Sequence, residues 1–314
     1  MKHLQASAAA AASLLAAALL LSACGGQSAG DGASGGLGGT VVTDGSSTVE
    51  PLTNAAAHLF EGPEPGVDVV VTPTGTTAGF RAFCNGEIDI SNASRPISDD
   101  EIAACEEAGV EFTEIVVAND GLSVILNPEN DWATDLTLEQ LATIWAPESE
   151  GAITNWNQVD PDFPDEPLVL FGAGSDSGTF DYFSNAINGE EGAIRADYSA
   201  SEDDNKTIEG VAENVGGLGF LGLSYVEDSR GVVIAASVDG VSPSTESVQD
   251  GSYTPLSRPL FIYVNDASYA EKPQVKAFVD FYVENVLEVA ERAHVVPLTD
   301  EQVATAQDEL ASLG

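Results

Sequence analysis

Glycine residues and hydroxyl-bearing residues occur together at three points where a predicted strand is followed by a predicted helix. These segments are residues 44–48, 74–77 and 172–179. A helix N-terminus exposes unpaired backbone N–H groups and a partial positive charge, so it can hold an anion without a lysine. Glycine lets the backbone approach closely, and Ser or Thr hydroxyls rotate to fit a tetrahedral oxyanion. Together the segments predict an anion site, although helix capping alone explains any single one of them.

An arginine stands at a fourth junction of this kind, in the segment Ser94-Arg95-Pro96. Its planar guanidinium matches two oxygens of an oxyanion. Because the chain has only 10 Lys and Arg residues against 51 Asp and Glu residues, a functional role for Arg95 is favoured. The alternative is a surface ion pair with Asp99, Asp100 or Glu101 in the helix that Ser98 caps.

The elements that position these segments alternate from residue 40 onward between short β-branched runs and amphipathic helical runs. This alternation is typical of an α/β fold with mainly parallel sheets, which bind ligands at the carboxyl ends of their strands. We expect two lobes that face each other across one cleft, with lobe I formed by residues 40–118 plus 259–314 and lobe II by residues 119–258. The last helices are predicted at 272–293 and 300–313.

The formal net charge of the chain is −41. Such a field repels nucleic acids and anionic lipid headgroups, so these partners are excluded. If a protein with this charge binds an anion, its positively charged groups must lie close to the binding site. After residue 23 the histidines are His58 and His294, and neither has other potential metal ligands at a suitable spacing. No metal site or cofactor is therefore predicted.

The N-terminus predicts export. Residues 1–23 contain one lysine followed by an Ala/Leu stretch that is too short for a membrane span, as in a signal peptide. The Leu-Ser-Ala-Cys box that ends at Cys24 resembles a bacterial lipobox; an ordinary cleavage site with a stray cysteine is the alternative. Residues 24–39 are glycine-rich and are expected to form a tether. The prediction is a protein lipid-anchored at Cys24 on the outer face of the cell membrane.

Cys84 and Cys105 remain, one in each of two neighbouring predicted helices. In an exported chain this pair indicates a disulfide, with two buried free thiols as the alternative.

The motifs together resemble the phosphate-binding subunit (PstS family) of the high-affinity phosphate ABC transporter. The resemblance spans nearly the whole mature chain and rests on segments 45–49, 74–77, 94–96, 153–157, 177–183 and 257–260. It implies a type II periplasmic-binding-protein fold, capture of inorganic phosphate, delivery to the permease subunits, and a monomer without enzymatic activity.

The resemblance also implies the binding residues: Ser47 and Thr48 from the first loop, Thr76 from the second, and Ser177, Gly178 and Thr179 from the third. Well-known members use an aspartate and an arginine at positions that are Ser94 and Ala173 here. The chain is similar instead to a subgroup with Ser-Arg-Pro in lobe I, in which Arg95 replaces the missing arginine.

Phosphate carries a proton near neutral pH, so a carboxylate acceptor selects it over sulfate. Asp176 is the first candidate acceptor, with Asp44 and Asp204 behind it. The competing interpretations are a receptor for sulfate or molybdate, a phosphate sensor without a transporter, and a secreted phosphatase with Ser175 or Ser177 as nucleophile. The phosphatase is disfavoured because no Ser-His-Asp relay is apparent.

Overall fold

Strands form in this chain where β-branched residues concentrate, as in the Val-Asp-Val-Val-Val-Thr sequence of Val67–Thr72. The structure is a computed structural model that describes residues 36–175, 177–201 and 203–314. Its strands are β1 (Gly39–Gly45), β2 (Val67–Thr72), β3 (Ile90–Ala93), β4 (Phe112–Leu126), β5 (Asp135–Leu136), β6 (Val169–Ala173), β7 (Ser199–Ser201), β8 (Gly217–Gly222), β9 (Ile234–Ala235), β10 (Ser237–Val238) and β11 (Ser257–Asn265).

Several helices begin at a hydroxyl residue that caps them. Ser98, Thr137 and Thr299 each accept a hydrogen bond from the third residue of the helix, whose side chain bonds back, which satisfies two otherwise unpaired N–H groups. The helices are α1 (Glu50–Phe60), α2 (Thr76–Cys84), α3 (Asp99–Ala108), α4 (Leu138–Trp145), α5 (Gly178–Asn188), α6 (Asp204–Glu213), α7 (Leu223–Asp228), α8 (Thr245–Gln249), α9 (Asp266–Glu271), α10 (Pro273–Glu284), α11 (Val286–Arg292) and α12 (Asp300–Ser312).

The single helix predicted at 272–293 is two helices, α10 and α11. Asn285 separates them with a non-helical ψ of 18°, and its side-chain amide donates to the carbonyl of Phe281 at 2.7 Å. Asparagine favours such local hydrogen bonds over a continuous helix. None of the described helices is long and apolar enough to cross a membrane.

The α/β architecture is confirmed, and its sheet is mixed. β1 lies between β2 and β3 and is parallel to both, so the carboxyl ends of these three strands meet at one edge. β11 then pairs antiparallel with β3 and β4. On the other side, β8, β6 and β7 are parallel to one another, and β8 runs antiparallel to β4.

β4 joins the two halves of this sheet. Nine of its first ten residues pair with β11, with Val117 left unpaired at a register shift, whereas Leu122–Leu126 pair with β8. Asn119 stands opposite Pro259 in this register, near a shift between Leu260 and Phe261. The side-chain amide of Asn119 also donates to the carbonyl of Pro297 at 3.2 Å, which ties the middle of β4 to the C-terminal segment.

Apolar side chains pack on both halves of the sheet. One cluster combines strands β1, β3, β4 and β11 with α1, α10, α11 and α12. A second cluster surrounds β4, β6 and β8 and contains the buried Trp145, whose ring meets Phe183 and Phe220 edge-on. Residues 36–314 form one compact unit. The two clusters hold the strand ends, and the loops that follow them, in fixed positions.

The predicted disulfide is present. Cys84 at the end of α2 and Cys105 in α3 are bonded, and both are buried. The bond ties α2, which begins at Thr76, to α3, which contains Glu101.

Candidate anion-binding site

The loops after β1, β2 and β3 converge because these strands are parallel neighbours. β1 ends at Gly45, whose φ of +134° is one that other residues rarely adopt, and a Cβ there would collide with the carbonyl of Asn92 in β3. The next backbone N–H, of Ser46, donates to the same carbonyl at 2.9 Å. This turn fixes the first hydroxyl loop, residues 46–48, against the end of β3.

Hydroxyl groups from different loops meet at this edge. The Oγ atoms of Thr76 and Ser94 lie 3.1 Å apart, and the backbone N–H of Ser94 donates to Thr76 Oγ1 at 3.3 Å. Across from them, the N-terminus of α5 lies against the first loop, since a Cβ at Gly178 would collide with Thr48. These two contacts involve predicted residues of four loops.

These hydroxyls differ in what they do for their helices. Val49 precedes α1 and Gly75 precedes α2, and neither helix has a side-chain cap. The capping explanation therefore does not apply to Thr48 or Thr76. It does describe Ser177, whose Oγ accepts from the backbone N–H of Thr179 at 3.2 Å at the start of α5.

The convergent loops enclose a cleft, which we call the central cleft. Its inner part is a cavity of about 20 Å³ and its outer part a cavity of about 290 Å³. The inner cavity is lined by Ser46, Ser47, Thr48, Gly75, Thr76, Ser94, Asp181, Glu191 and Arg258. The outer cavity shares Gly75, Thr76, Ser94, Glu191 and Arg258 with the inner one and is also lined by Thr74, Thr77, Ala78, Arg81, Arg95 and Asn185.

Arg258 lies in the inner part of the central cleft. Its Nη2 donates to Thr48 Oγ1 at 3.0 Å, and its Nε lies 3.3 Å from Oδ2 of the buried Asp120. The guanidinium carbon stands 3.5 Å from the ring centroid of Tyr182 in α5. Since stacking and ion pairing fix the plane of the guanidinium, its charge is held at the bottom of the cleft. Burial raises the pKa of Asp120, and the charge of Arg258 opposes this.

Arg95 is paired with Glu101, the ion pair predicted as the alternative to anion binding. Its Nη1 and Nη2 donate to the two oxygens of Glu101 at 2.8 and 2.9 Å, and Nη2 also reaches Thr77 Oγ1 at 2.9 Å. Burial acts to raise the pKa of Glu101, but the hydrogen bonds from Arg95 and Ser98 outweigh it and lower the pKa. Arg95 thus lines the outer cavity while its fork is occupied by a carboxylate.

Two carboxylates line the inner cavity together with Arg258. Asp181 lies in the first turn of α5 and is half-buried, and Glu191 follows that helix and is exposed. Burial raises the pKa of Asp181, the charge of Glu191 raises it further, and Arg258 acts in the opposite direction.

Of the predicted acceptor carboxylates, Asp44 and Asp204 are not among the residues that line the central cleft. Asp176, like the lipidation residue Cys24, falls outside the described residues. Oδ1 of Asp44 accepts from the backbone N–H of Gly45 at 2.7 Å and from the hydroxyl of Thr74 at 2.7 Å, so this carboxylate holds the first two loops together. Asp204 stands in the first turn of α6.

The two histidines stand apart from the central cleft. His58 is exposed on α1 beside Glu61, and His294 stacks on Tyr225. In the part of the chain that the structure describes, no group of His, Cys, Asp and Glu side chains is arranged to hold a metal ion.

Sequence reasoning missed Arg258, Asp181 and Glu191 as lining residues. Arg258 lies in the Ser-Arg-Pro-Leu segment at 257–260 and Asp181 in the segment 177–183, both of which carry the family resemblance. The scarcity of basic residues, which drew attention to Arg95, applies equally to Arg258. Which of the two arginines lies deeper depends on the register of β11, which no local pattern reveals.

Comparison with known proteins agrees with this architecture. A family model described as "PBP superfamily domain" matches residues 30–286. The chain is 44% identical to Protein SphX of Synechocystis over 83% of this chain and 79% of that protein. It is 33% identical to the phosphate-binding protein PstS of Staphylococcus saprophyticus over 90% of this chain and 88% of that protein.

The structural comparison points the same way. The crystal structure of a possible phosphate binding protein from Planctomyces limnophilus superposes with a TM-score of 0.83 at 39% identity, covering 88% of this chain and 99% of that one. Shared sequence and fold lead to one conclusion: the chain belongs to the PBP superfamily, as a member of the PstS family of phosphate-binding proteins with a type II periplasmic-binding-protein fold.

Proposed function

We propose that this protein binds inorganic phosphate in the central cleft and delivers it to the permease subunits of an ABC importer. One observation carries the proposal. Arg81, Arg95 and Arg258 line one cavity, although the chain has only 10 basic residues and a net charge of −41. Concentrating scarce positive charge at one place is what an anion receptor in an acidic protein requires.

The binding groups would act together. Ser47, Thr48, Thr76 and Ser94 supply hydroxyl donors, and Ser177, Gly178 and Thr179 supply the N-terminus of α5. Arg258 and Arg95 supply positive charge from the inner and outer parts of the cleft. The phosphate-binding name of its PstS relative supports phosphate over other oxyanions.

Closure of two lobes around the anion would remove water and strengthen these contacts. We assign lobe I to residues 40–118 plus 259–314 and lobe II to residues 119–258, with the hinge near Asn119 and Pro259. The proposal is supported by the pairing of these two residues where β4 passes between the two halves of the sheet. The closed form is the one that would dock on the permease.

We further propose that residues 1–23 are a signal peptide, that Cys24 is lipidated, and that residues 24–39 tether the monomeric domain to the outer face of the membrane. The Leu-Ser-Ala-Cys box supports this arrangement.

Calorimetry with phosphate, sulfate and molybdate on the same purified protein tests the function. We expect tight binding of phosphate and much weaker binding of the other two. Tight sulfate binding without phosphate binding would refute the proposal. Turnover of p-nitrophenyl phosphate by metal-replete protein would show a phosphatase instead.

A further inference from the structure

Arg81 differs from the other basic side chains that the structure describes, because it has no carboxylate partner. Of the 10 Lys and Arg residues of the chain, Lys2 alone lies outside the described part. Within that part, each of the others lies within 3.8 Å of an Asp or Glu oxygen, whereas Arg81 has no ion pair. The side chain of Arg81 is also exposed. Its positive charge is therefore not neutralised by a carboxylate in contact with it.

Arg81 stands where the central cleft opens to the surface. It lies in the last turn of α2, the helix that begins with Thr76, and it lines the outer cavity but not the inner one. It also lines a groove of about 250 Å³ between α2 and α3, which shares Thr77 with the outer cavity. An anion that reaches the inner cavity through the outer one passes this guanidinium.

The other two arginines of the central cleft are held by carboxylates. Arg258 pairs with Asp120, and Arg95 pairs with Glu101. Because opposite charges in contact largely cancel at a distance, these pairs attract a distant anion only weakly. The field of the unpaired Arg81 extends into the solvent over a Debye length, which is about 8 Å at physiological salt.

Negative charge at the central cleft makes this attraction important. Asp181 and Glu191 line the inner cavity, and Glu191 lines the outer cavity as well. With a net charge of −41 on the chain, the surface as a whole repels an approaching phosphate anion. The unpaired Arg81 offsets this repulsion at the mouth of the cleft.

We propose that Arg81 is the capture residue of the central cleft: its guanidinium draws phosphate into the outer cavity and raises the rate of association, and the groups of the inner cavity then hold the anion. The inference rests on the proposed function of the same cleft. A charge at the rim of a site acts mainly on the association rate constant kon and its salt dependence, whereas contacts with the bound ligand act mainly on the dissociation rate constant koff. The role of Arg81 is therefore separable from that of Arg258.

The kinetics of phosphate binding to wild type and Arg81→Ala test the inference. Equilibrium dialysis with radiolabelled inorganic phosphate gives Kd. Displacement of the bound label by unlabelled phosphate, followed by rapid filtration, gives koff, and the quotient koff/Kd is kon. At about 0.01 M salt, where the Debye length is about 30 Å, we expect kon of Arg81→Ala to fall at least about threefold while koff stays unchanged. At about 1 M salt the difference in kon should disappear, because the Debye length is then about 3 Å.

Two further variants show whether the position and the charge of Arg81 matter. Arg230→Ala is the matched control, since it removes the same charge from an exposed arginine that does not line the central cleft. Its kon should stay close to the wild-type value. Arg81→Lys keeps the charge but not the planar fork, so it should keep the wild-type kon. Circular dichroism verifies that each variant is folded.

The outcomes separate this inference from the proposed function. A kon of Arg81→Ala equal to that of wild type would overturn the inference, as would an affinity loss that appears only in koff. An equal fall of kon in Arg230→Ala would also overturn it, because net charge rather than the position of Arg81 would then govern association. A wild-type protein that binds no phosphate would instead overturn the proposed function.

Discussion

Arg258 and Thr48 are 210 residues apart in the chain, yet the guanidinium of the first donates to the hydroxyl of the second at 3.0 Å. This contact joins β11 to the loop after β1 at the centre of the cleft. It places a stacked, ion-paired positive charge beside hydroxyl groups that are not used as helix caps.

Replacing Arg258 with Ala should weaken phosphate binding by about ten- to a hundredfold, because a charge-assisted hydrogen bond contributes about 1.5–3 kcal/mol. Calorimetry measures the effect. Arg258→Lys should retain part of the affinity, since it keeps the charge but not the fork. Arg292→Ala is the control, because Arg292 pairs with Glu288 on the exposed face of α11. Equal affinities of wild type and Arg258→Ala would contradict the placement of the anion.

Replacing Arg95 with Ala should weaken phosphate binding at least about tenfold if its guanidinium contacts the ligand. The same titrations measure this change. An unchanged affinity would mean that Arg95 serves only its ion pair with Glu101. In that case the variant should still lose stability in urea, because the start of α3 loses a contact.

Acid should weaken the Arg195–Asp197 pair. Arg195 is 3% exposed and also donates to the carbonyls of Ile144 and Ile153. The hydrogen bonds that the Arg195 guanidinium donates to the Asp197 carboxylate lower the pKa of Asp197 from 3.8 to about 2. A carboxyl group whose pKa is lower in the folded than in the unfolded state stabilises the fold at pH values above the unfolded-state pKa. This contribution is lost as the pH falls through the folded-state pKa.

Asp197→Asn should therefore lower the free energy of unfolding by about 1.5 kcal/mol at neutral pH, as for a charge-assisted hydrogen bond. The difference from wild type should shrink between pH 3.8 and about 2. Urea unfolding at several pH values measures it, with the exposed Asp162→Asn as control. A difference independent of pH would contradict the pairing.

Removing the disulfide with the double variant Cys84→Ser/Cys105→Ser should lower the free energy of unfolding by roughly 3 kcal/mol, since the bond closes a short loop in the unfolded chain. Urea unfolding with and without dithiothreitol measures this. Reductant should destabilise the wild type and leave the double variant unchanged. A wild type that is insensitive to reductant when unfolded and refolded would argue against the bond.

Cys24→Ala should abolish incorporation of labelled palmitate and release the protein from the membrane fraction of expressing cells. Cys84→Ser should still be labelled. Labelling of Cys24→Ala would show that the anchor lies elsewhere.

Local patterns predicted much of the scaffold correctly. The capping box at Ser98 and the hydroxyl loops at strand ends depend on residues within a few positions of each other, so sequence reveals them. The pairing of Cys84 with Cys105 follows from two neighbouring helices. The break at Asn285 was missed because the apolar spacing continues through it.

The sequence by itself determined that hydroxyl and glycine residues follow parallel strands in an acidic chain with very few cations, and hence that an anion site was to be expected. Only the tertiary structure decided that Arg258 lies in the inner cavity while Arg95 is held by Glu101, and that Asp181 lines that cavity. The physical reason is the separation along the chain of the residues that make each contact. Caps and turns are hydrogen bonds between near neighbours, whereas the surroundings of a charged side chain depend on strand register and helix packing across the whole chain.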